Sequence, residues 1–351
     1  PAVVKDADGL KVGIIGVITE PSPAIVMPGR TEKIVFEKPQ GVVREQIAAL
    51  KAQGVDFIVL LSHCGSWQDK EIAAEVKGIG VIVGGHGHEL LRKPLRVRRT
   101  GTLIVQAGGT GQYLGRLDCR VDPDRGRVAS HRYELVPLEK GRCLPDPEAQ
   151  AIVDRWAALV GERFDETVAE SSDDFAGNDT AEAPLGNLIA DSMRAATGAQ
   201  IAFHNNFGIR NPLLAGPVTY RDIYKILPFD NTLYTMTLTG AQLLRILEQS
   251  LALKYGILQL SGLTVEYSPK APEGSRVGSV RCGGEPLDPA AAYTVTTNSF
   301  LAQGGDSYAT FLEGRDMTNS GVLDRDAFAD YLRARSPVSA GEPVPSRLIP
   351  R

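Results

Sequence analysis

The sequence predicts an α/β fold with a largely parallel sheet in its first third, on three observations. Short apolar runs at 11–17, 57–61 and 81–83 have the length and β-branched content of strands. Amphipathic helical patterns separate these runs, and such strand-helix-strand units form right-handed crossovers. The length of 351 residues leaves room for about two domains.

Strands and helices alternate through this first third. Val43, Ile47 and Leu50 recur at helical spacing, which predicts an amphipathic helix before the second strand. A second helix opens at Asp69, and Gly78 ends it. The expected elements are, in chain order, strand 11–17, helix 41–53, strand 57–61, helix 69–78, strand 81–83 and strand 102–106.

The rest of the chain begins with an antiparallel pair, because residues 113–121 and 127–136 alternate between apolar and polar. The composition then changes at Pro145-Asp-Pro147, and an apolar stripe over 148–164 predicts a helix that links two domains. Beyond it we expect helix 184–193, strand 201–203, helix 239–248 and strand 293–297. The tail after Ser336 is rich in Pro and Ser and is expected to be loosely ordered.

Composition and charge exclude several classes of protein. The formal net charge of -4 argues against a general nucleic-acid binder, and no apolar run approaches the length of a membrane span. No secretory signal is visible and Pro1 is not an initiator methionine, so we expect a processed chain or a fragment. The cysteines lack a close Cys-x-x-Cys pair, which argues against a structural zinc knuckle. They are Cys64, Cys119, Cys143 and Cys282.

The ends of two predicted strands carry three of the five histidines. His63 follows the second strand, and His86 and His88 follow the third after a Gly-Gly pair that lets the backbone turn sharply. Because the carboxyl ends of parallel strands meet at one edge, three imidazoles are expected to converge there as metal ligands. The alternative is a set of exposed turn histidines. His131 and His204 have no such context and are expected to be structural.

A glycine-rich segment, Ala107-Gly-Gly-Thr-Gly111, follows strand 102–106. It lacks the lysine of a Walker loop, so a tight turn is favoured over a phosphate-binding loop.

Seven short motifs, spread over nearly the whole chain, resemble those of the 5'-nucleotidase family and come in the same order. Members of that family join a metallophosphoesterase domain to a nucleotide-binding domain. The motifs are Leu61-Ser-His-Cys-Gly65, Gly84-Gly-His-Gly-His88, Gln106-Ala-Gly-Gly-Thr-Gly-Gln-Tyr-Leu-Gly115, Leu185-Gly-Asn-Leu-Ile-Ala-Asp191, Asn205-Asn-Phe-Gly-Ile-Arg210, Leu227-Pro-Phe229 and Asn298-Ser-Phe-Leu-Ala-Gln-Gly-Gly-Asp306.

The resemblance implies a fold and a division of the chain. Residues 1–140 would be the C-terminal part of a calcineurin-like metallophosphoesterase α/β sandwich, which is therefore incomplete here. Residues 141–165 would form a linker helix, and residues 166–351 would form the α+β 5'-nucleotidase C-terminal domain.

The resemblance also implies chemistry at the strand ends. Two divalent metal ions, zinc, manganese or a similar metal, would activate a hydroxide that hydrolyses a nucleotide phosphate ester. By motif match, His63 and His86 would serve one ion and His88 the other.

The second domain would bind the nucleoside part of a small-molecule substrate. Phe229 and Phe300 would sandwich the base, and Asp306 would accept hydrogen bonds from the ribose hydroxyls. Arg210 would pair with phosphate, with Asn205 beside it. The competing interpretations are core packing for the two rings, a turn residue at Asp306 and a surface salt bridge at Arg210.

The sequence departs from the family pattern in two respects. No histidine precedes His63, so the Asp-x-His, bridging Asp and Asn-His-Glu motifs are absent, and with them the general-acid histidine. The resemblance then implies that roughly the first hundred residues of the enzyme are missing, and that the chain as given is inactive. Ala181 stands where relatives carry an arginine, and Asn206-Phe207 replaces common glycines. Nucleoside monophosphates, nucleoside diphosphate sugars, cyclic nucleotides and other esters therefore stay open as substrates.

Two rival functions stay open beside nucleotide hydrolysis. One is a nucleotide-binding module without chemistry, and the other is a thiosulfate-ester hydrolase of the same architecture. The resemblance implies a periplasmic or extracellular location for the parent protein, and the net charge argues against a nucleic-acid polymer as a partner.

Overall fold

The computed structural model of the protein describes residues 2–139, 141, 144–339 and 346–351, so Cys143 lies outside the described part. The chain separates into two compact units. The first contains Pro1–Pro23 and Arg30–Pro147, and the second contains Ala24–Gly29 and Glu148–Arg351. None of the described helices has the length and apolar character needed to cross a bilayer.

The first part of the chain alternates between strands and helices as predicted, with three additional elements: a strand at its start, a four-residue helix and a two-residue strand. Its elements are β1 (Ala2–Ala7), β2 (Leu10–Ile18), α1 (Ser22–Ile25), α2 (Pro39–Ala52), β3 (Phe57–His63), α3 (Ser66–Glu75), β4 (Val81–Val83), β5 (Leu95–Arg96), β6 (Leu103–Val105), β7 (Tyr113–Asp122) and β8 (Arg127–Pro137).

One six-stranded sheet organises the first unit, in the order β1-β2-β3-β4-β6-β5. The four strands β2, β3, β4 and β6 are parallel, which confirms the predicted parallel sheet. β1 and β5 pair antiparallel at its two edges. β1 was not predicted, because its side chains are mostly exposed and its sequence lacks an apolar face. The predicted antiparallel pair is confirmed as β7 and β8.

Helix α3 begins at Ser66 rather than at Asp69 as the sequence pattern predicted. Gly65 has a φ of 85°, so the chain turns directly from the end of β3 into the helix. Asp69 consequently lies inside the helix and is fully buried instead of starting it at the surface.

The two faces of this sheet are covered differently. On one face, residues such as Ile58 and Ile82 pack against α2 and α3 in a closed core. On the other face the β7-β8 hairpin borders an open cavity of about 640 Å³ lined mainly by apolar side chains. The carboxyl end of that second face is uncovered, with Ile18, Leu61 and Val83 exposed by 53%, 48% and 40%.

The second unit begins with the predicted long helix and continues as mixed α and β structure. Its elements are α4 (Pro147–Asp165), β9 (Thr167–Ser171), α5 (Pro184–Thr197), β10 (Ile201–His204), β11 (Gly216–Thr219), α6 (Tyr220–Ile226), β12 (Thr232–Thr239), α7 (Gly240–Leu251), β13 (Gln259–Ser261), β14 (Leu263–Tyr267), β15 (Val277–Cys282), β16 (Glu285–Pro286), β17 (Ala292–Asn298), α8 (Ser299–Ala302), β18 (Arg315–Leu323), α9 (Asp324–Arg333) and β19 (Leu348–Pro350).

A five-stranded sheet in the order β13-β10-β17-β12-β18 forms the centre of this unit. Two apolar cores contain its buried side chains, one built with α5, α6 and α9 and the other with α7 and α8. β12 and β17 pair antiparallel in a register that places Leu233 opposite Asn298. The segments just before β12 and just after β17 therefore lie side by side.

The end of the chain is more ordered than the sequence suggested. β19 pairs parallel with β14, and Leu348 is buried. The expectation of a loosely ordered tail is therefore wrong for residues 348–350, and residues 340–345 lie outside the described part. The reason is long-range: Arg347 donates to Asp191 Oδ2 at 2.7 Å and to the carbonyl oxygen of Leu260 at 2.7 Å.

Removing this anchor is expected to release the terminal strand. Arg347→Met leaves the Asp191 carboxylate without its cation in a mostly buried setting, so we expect a loss of about 3 kcal/mol in the free energy of unfolding. Arg351→Met is the control, because Arg351 is exposed and pairs with Glu266 at the surface. Urea denaturation measures both variants, and equal losses would contradict the anchoring role.

Candidate functional site

The first group of predicted site residues lies at the carboxyl ends of β3 and β4. His63 is the last residue of β3, and His86 follows β4 after two glycines. Their ring centroids are 5.1 Å apart. A Cβ atom on Gly85 would lie 3.2 Å from His63 Nδ1, so a larger residue there would crowd the ring. The structure thus brings these two imidazoles together at one edge of the sheet.

His88 lies against the glycine-rich segment that follows β6. A Cβ atom on Gly109 would be 2.8 Å from His88 Cγ, so only glycine leaves room for this ring. The backbone is left-handed at both His86 and His88, with φ values of 68° and 53°. Such backbone is strained for non-glycine residues and concentrates at functional sites. The segment from 107 to 111 thus makes space for a histidine.

A buried carboxylate lies behind these histidines that the sequence pattern did not single out. Asp69 of α3 is fully buried and accepts a hydrogen bond from the Ser62 hydroxyl. Its other oxygen, Oδ2, has no hydrogen-bond partner in the described part of the chain and lies beside Gly84. Burial raises the pKa of Asp69 to about 6. Only tertiary packing, which places α3 against the sheet, brings this carboxylate beside Gly84, two residues before His86.

These residues fit part of a metal centre. Neutral imidazole suits zinc, manganese and iron alike. However, among residues 2–139, 141, 144–339 and 346–351, no group of three or more His, Cys, Asp or Glu is arranged to hold a metal ion. Convergence of His63, His86 and His88 on two ions therefore stays a prediction.

The second group of predicted residues lies in the second unit. Asn205 and Arg210 follow β10, Phe229 precedes β12, and Phe300 and Asp306 follow β17. Asn205 follows β10 and is 6% exposed, and its Oδ1 accepts a hydrogen bond from Asn298 Nδ2 at 2.8 Å. Asn298 also caps α8, because its Oδ1 accepts from the Leu301 N–H. Asn298 begins one of the seven motifs but was given no role there, although an asparagine two residues before Phe300 is a recognisable helix-capping signal.

Phe229 and Phe300 have different surroundings. Phe300 is partly buried and packs on the core beside α7 and α8. A Cβ atom on Gly305 would lie 2.6 Å from its ring, so the glycine is required for this packing. Phe229 is 47% exposed and belongs to neither core. Core packing therefore accounts for more of the Phe300 environment than of the Phe229 environment.

Asp306 is 3% exposed, and its Oδ2 has no hydrogen-bond partner in the described part of the chain. Burial raises the pKa of this carboxyl to about 7. Its φ of 51° lies in the left-handed region, which aspartate and asparagine tolerate better than most residues. A simple turn aspartate would be exposed, so the turn interpretation does not account for Asp306.

Arg210 is exposed, and its Nη1 donates to the carbonyl oxygen of Phe207 at 3.3 Å. Arg210 forms no ion pair within the part of the chain that the structure describes.

His204, expected to be structural, is fully buried with Nε2 3.7 Å from Asp324 Oδ2. The sequence departure at Asn206 also has a structural reason. Asn206 Nδ2 donates a hydrogen bond to Asp179 Oδ1 at 2.7 Å, and Asn206 Oδ1 accepts one from Gln259 Nε2 at 3.2 Å.

Comparisons with known proteins identify a matching family model and several relatives. The family model described as 5'-nucleotidase, C-terminal domain, matches residues 166–313. The trifunctional nucleotide phosphoesterase YfkN of Bacillus subtilis is 32% identical, over 95% of this chain but only 24% of its own length.

Two solved structures share the fold. The 5'-nucleotidase precursor from Thermus thermophilus is 31% identical with a TM-score of 0.91, over 100% of this chain and 74% of that one. The sulfate thiohydrolase SoxB from the genus Thermus has a TM-score of 0.85 at 22% identity, over 99% of this chain and 64% of that one, a likeness of fold alone. The predicted fold class, a metallophosphoesterase-type α/β part followed by an α+β part, is confirmed.

Proposed function

Because the chain belongs to the 5'-nucleotidase family, we propose that it takes part in the metal-dependent hydrolysis of nucleotide phosphate esters, with its second unit binding the nucleoside. One observation carries the proposal: the buried Asp306 has an oxygen without a hydrogen-bond partner in the described part of the chain, and it directly follows the Gly305 that packs on Phe300. A buried acceptor of this kind is costly unless a ligand supplies a donor. The vicinal hydroxyls of a ribose are suitable donors.

The neighbouring groups suit the other parts of a nucleotide. A base stacked on an aromatic face gains roughly 1–3 kcal/mol, and the rings of Phe229 and Phe300 are the proposed faces. The exposed Arg210 guanidinium offers a planar fork for phosphate oxygens. Asn205, fixed by Asn298, would hold the start of the segment that carries Arg210.

The histidines at the strand ends would hold divalent ions such as zinc or manganese. When bound, such ions supply a hydroxide nucleophile and neutralise charge that develops on phosphorus. The contribution of this chain is to hold His63 and His86 side by side and to keep space for His63 and His88 through Gly85 and Gly109. The general acid stays unassigned.

A second candidate function is nucleotide binding without chemistry. It is favoured by the lack, within the described ranges, of any three-residue cluster of His, Cys, Asp or Glu able to hold a metal.

The Thermus relative bears the name of a precursor, which supports a periplasmic or extracellular location for the parent protein as a further proposal.

Adenosine is expected to raise the melting temperature of the protein, and Phe300→Ala is expected to remove that rise. Losing one stacked ring weakens binding about tenfold or more. Because Phe300 also packs on the core, Phe229→Ala is the cleaner variant, since Phe229 is 47% exposed and its truncation is expected to cost little stability.

Leu214→Ala is the matched control, because Leu214 is another exposed apolar side chain of the second unit. It should leave the adenosine effect unchanged. If adenosine, AMP and UDP-glucose all leave the melting temperature of the wild-type chain unmoved, the nucleoside site is not in this unit.

A further inference from the structure

We infer that Arg325 is a positioning residue, which holds the backbone beneath Phe229 so that the ring stands ready to stack on a base. The inference rests on the proposed function and concerns a residue that touches neither base nor phosphate in that proposal. Arg325 is the second residue of α9, and its side chain is only 10% exposed. A nearly buried guanidinium is costly, so its partners indicate what it stabilises.

Those partners all belong to the segment that carries Phe229 or to the helix before it. Arg325 Nη1 donates to the carbonyl oxygen of Phe229 at 2.9 Å, and Nη2 donates to Asp230 Oδ1 at 2.7 Å. The guanidinium also stacks on the ring of Tyr224 in α6, with its carbon 4.9 Å from the ring centroid. One planar group thus fixes two successive residues against a neighbouring helix.

The exposed ring needs this support. Phe229 packs into neither apolar core, so its own side chain contributes little to holding the loop in place. A pair of Arg325 with Asp230 alone would contribute little to stability, because the Asp230 side chain is 81% exposed. The bond to the Phe229 carbonyl is the contact that acts on backbone position.

The same corner connects the two ring-bearing segments. The N–H of Asp324, next to Arg325, donates to the carbonyl oxygen of Asn231 at 2.9 Å. The Ser299 hydroxyl, next to Phe300, donates to Asn231 Oδ1 at 3.2 Å. The start of α9 therefore fixes the Phe229 segment, which in turn is bonded to the segment that carries Phe300. By holding the Phe229 backbone, Arg325 consequently also sets the position of the Phe229 ring relative to the Phe300 ring.

A double-mutant cycle tests the inference by adenosine titration of the complete chain. Arg325→Met is expected to weaken adenosine binding about tenfold, the loss of roughly one stacked ring. In a Phe229→Ala background the same change is expected to have less than about a twofold effect, since no ring is left to position. A purely structural role would weaken binding equally in both backgrounds.

Arg333→Met serves as the control, because Arg333 lies on the same helix but is exposed and pairs with Glu166 and Asp330. If Arg325→Met does not fold, Arg325→Lys keeps the charge but lacks the planar fork that reaches Phe229 and Asp230 together, and a loss of about twofold to threefold is expected in the wild-type background alone. A variant of either kind that binds adenosine like the wild type, or loses equally in both backgrounds, overturns the inference while the proposed function stands. If the wild-type chain binds no adenosine, the proposed function fails and this inference fails with it.

Discussion

Replacing Asp306 by asparagine (Asp306→Asn) is expected to abolish nucleoside binding and, at the same time, to make the protein more stable at about pH 8. The carboxyl is 3% exposed and its Oδ2 lacks a hydrogen-bond partner in the described part of the chain. Above its pKa the folded protein therefore holds a poorly compensated buried charge. Asparagine has the same shape and tolerates the same left-handed backbone, but it carries no charge.

The sign of the pH dependence follows from the two states. The carboxyl has an ordinary pKa of 3.8 when exposed and a pKa of about 7 when folded. Between these values the folded chain keeps a proton that the unfolded chain has lost, so stability falls as the pH rises from about 4 to 7 and is constant above it. The full difference corresponds to about 4 kcal/mol.

We expect Asp306→Asn to be more stable than the wild type by about 2 kcal/mol at pH 8, because the uncharged amide still leaves a buried polar group incompletely bonded. Near pH 5 the wild-type carboxyl is protonated, and the two proteins should have similar free energies of unfolding. Asp316→Asn is the control, since Asp316 has a similar φ of 54° but is exposed. Urea denaturation across this pH range is the measurement, and equal stability at both pH values would disprove the buried charge.

Binding should show the opposite trend with pH. An ionised carboxylate accepts hydrogen bonds from both ribose hydroxyls, whereas the protonated form loses part of that capacity. Adenosine affinity of the wild type is therefore expected to fall by up to about tenfold for each pH unit below about 7. Calorimetric titration checks this, and deoxyadenosine lacking one hydroxyl should show a weaker dependence. An affinity independent of pH would remove Asp306 from the ribose site.

The polypeptide of residues 1–351 is expected to show no metal-dependent phosphatase activity when supplied with zinc or manganese. The two-metal mechanism needs a carboxylate that bridges the ions as well as imidazole ligands. In the described residues, His63 and His86 lie together, but no three-residue cluster of His, Cys, Asp or Glu is arranged to hold a metal. We expect hydrolysis of AMP to match the rate in buffer.

The assay should compare AMP and p-nitrophenyl phosphate with and without a chelator, and His86→Ala should be run beside the wild-type chain. Zinc affinity is measured separately by competition with an indicator dye. A phosphatase rate that the chelator abolishes and that His86→Ala lacks would contradict the prediction and show that these ligands suffice. A chelator-resistant rate that the His86→Ala chain keeps would come from a contaminant.

The sequence predicted those features that local pattern determines. The apolar runs at β2, β3 and β4 identified a parallel sheet, and the residues directly after them identified His63 and His86. Their meeting follows from topology alone, because adjacent parallel strands end at the same edge.

Features that depend on long-range packing were not predictable in this way. The sequence pattern predicted that Asp69 opens a helix, yet it lies inside α3 and the packing of that helix on the sheet buries it completely. Arg325 is separated from Phe229 by almost a hundred positions in the chain, and no periodicity connects them. The terminal strand β19 depends on Arg347 reaching α5, so its Pro- and Ser-rich neighbourhood gave the wrong expectation.

The unequal surroundings of the two phenylalanines have a consequence for protein engineering. Phe300 is held between a core and Gly305, where a Cβ atom would already lie 2.6 Å from the ring, so neither position tolerates much redesign. Phe229 is 47% exposed, and its side chain is free of such constraints. For the proposed base site, libraries that aim to change which base is accepted should therefore diversify position 229 and leave 300 and 305 untouched.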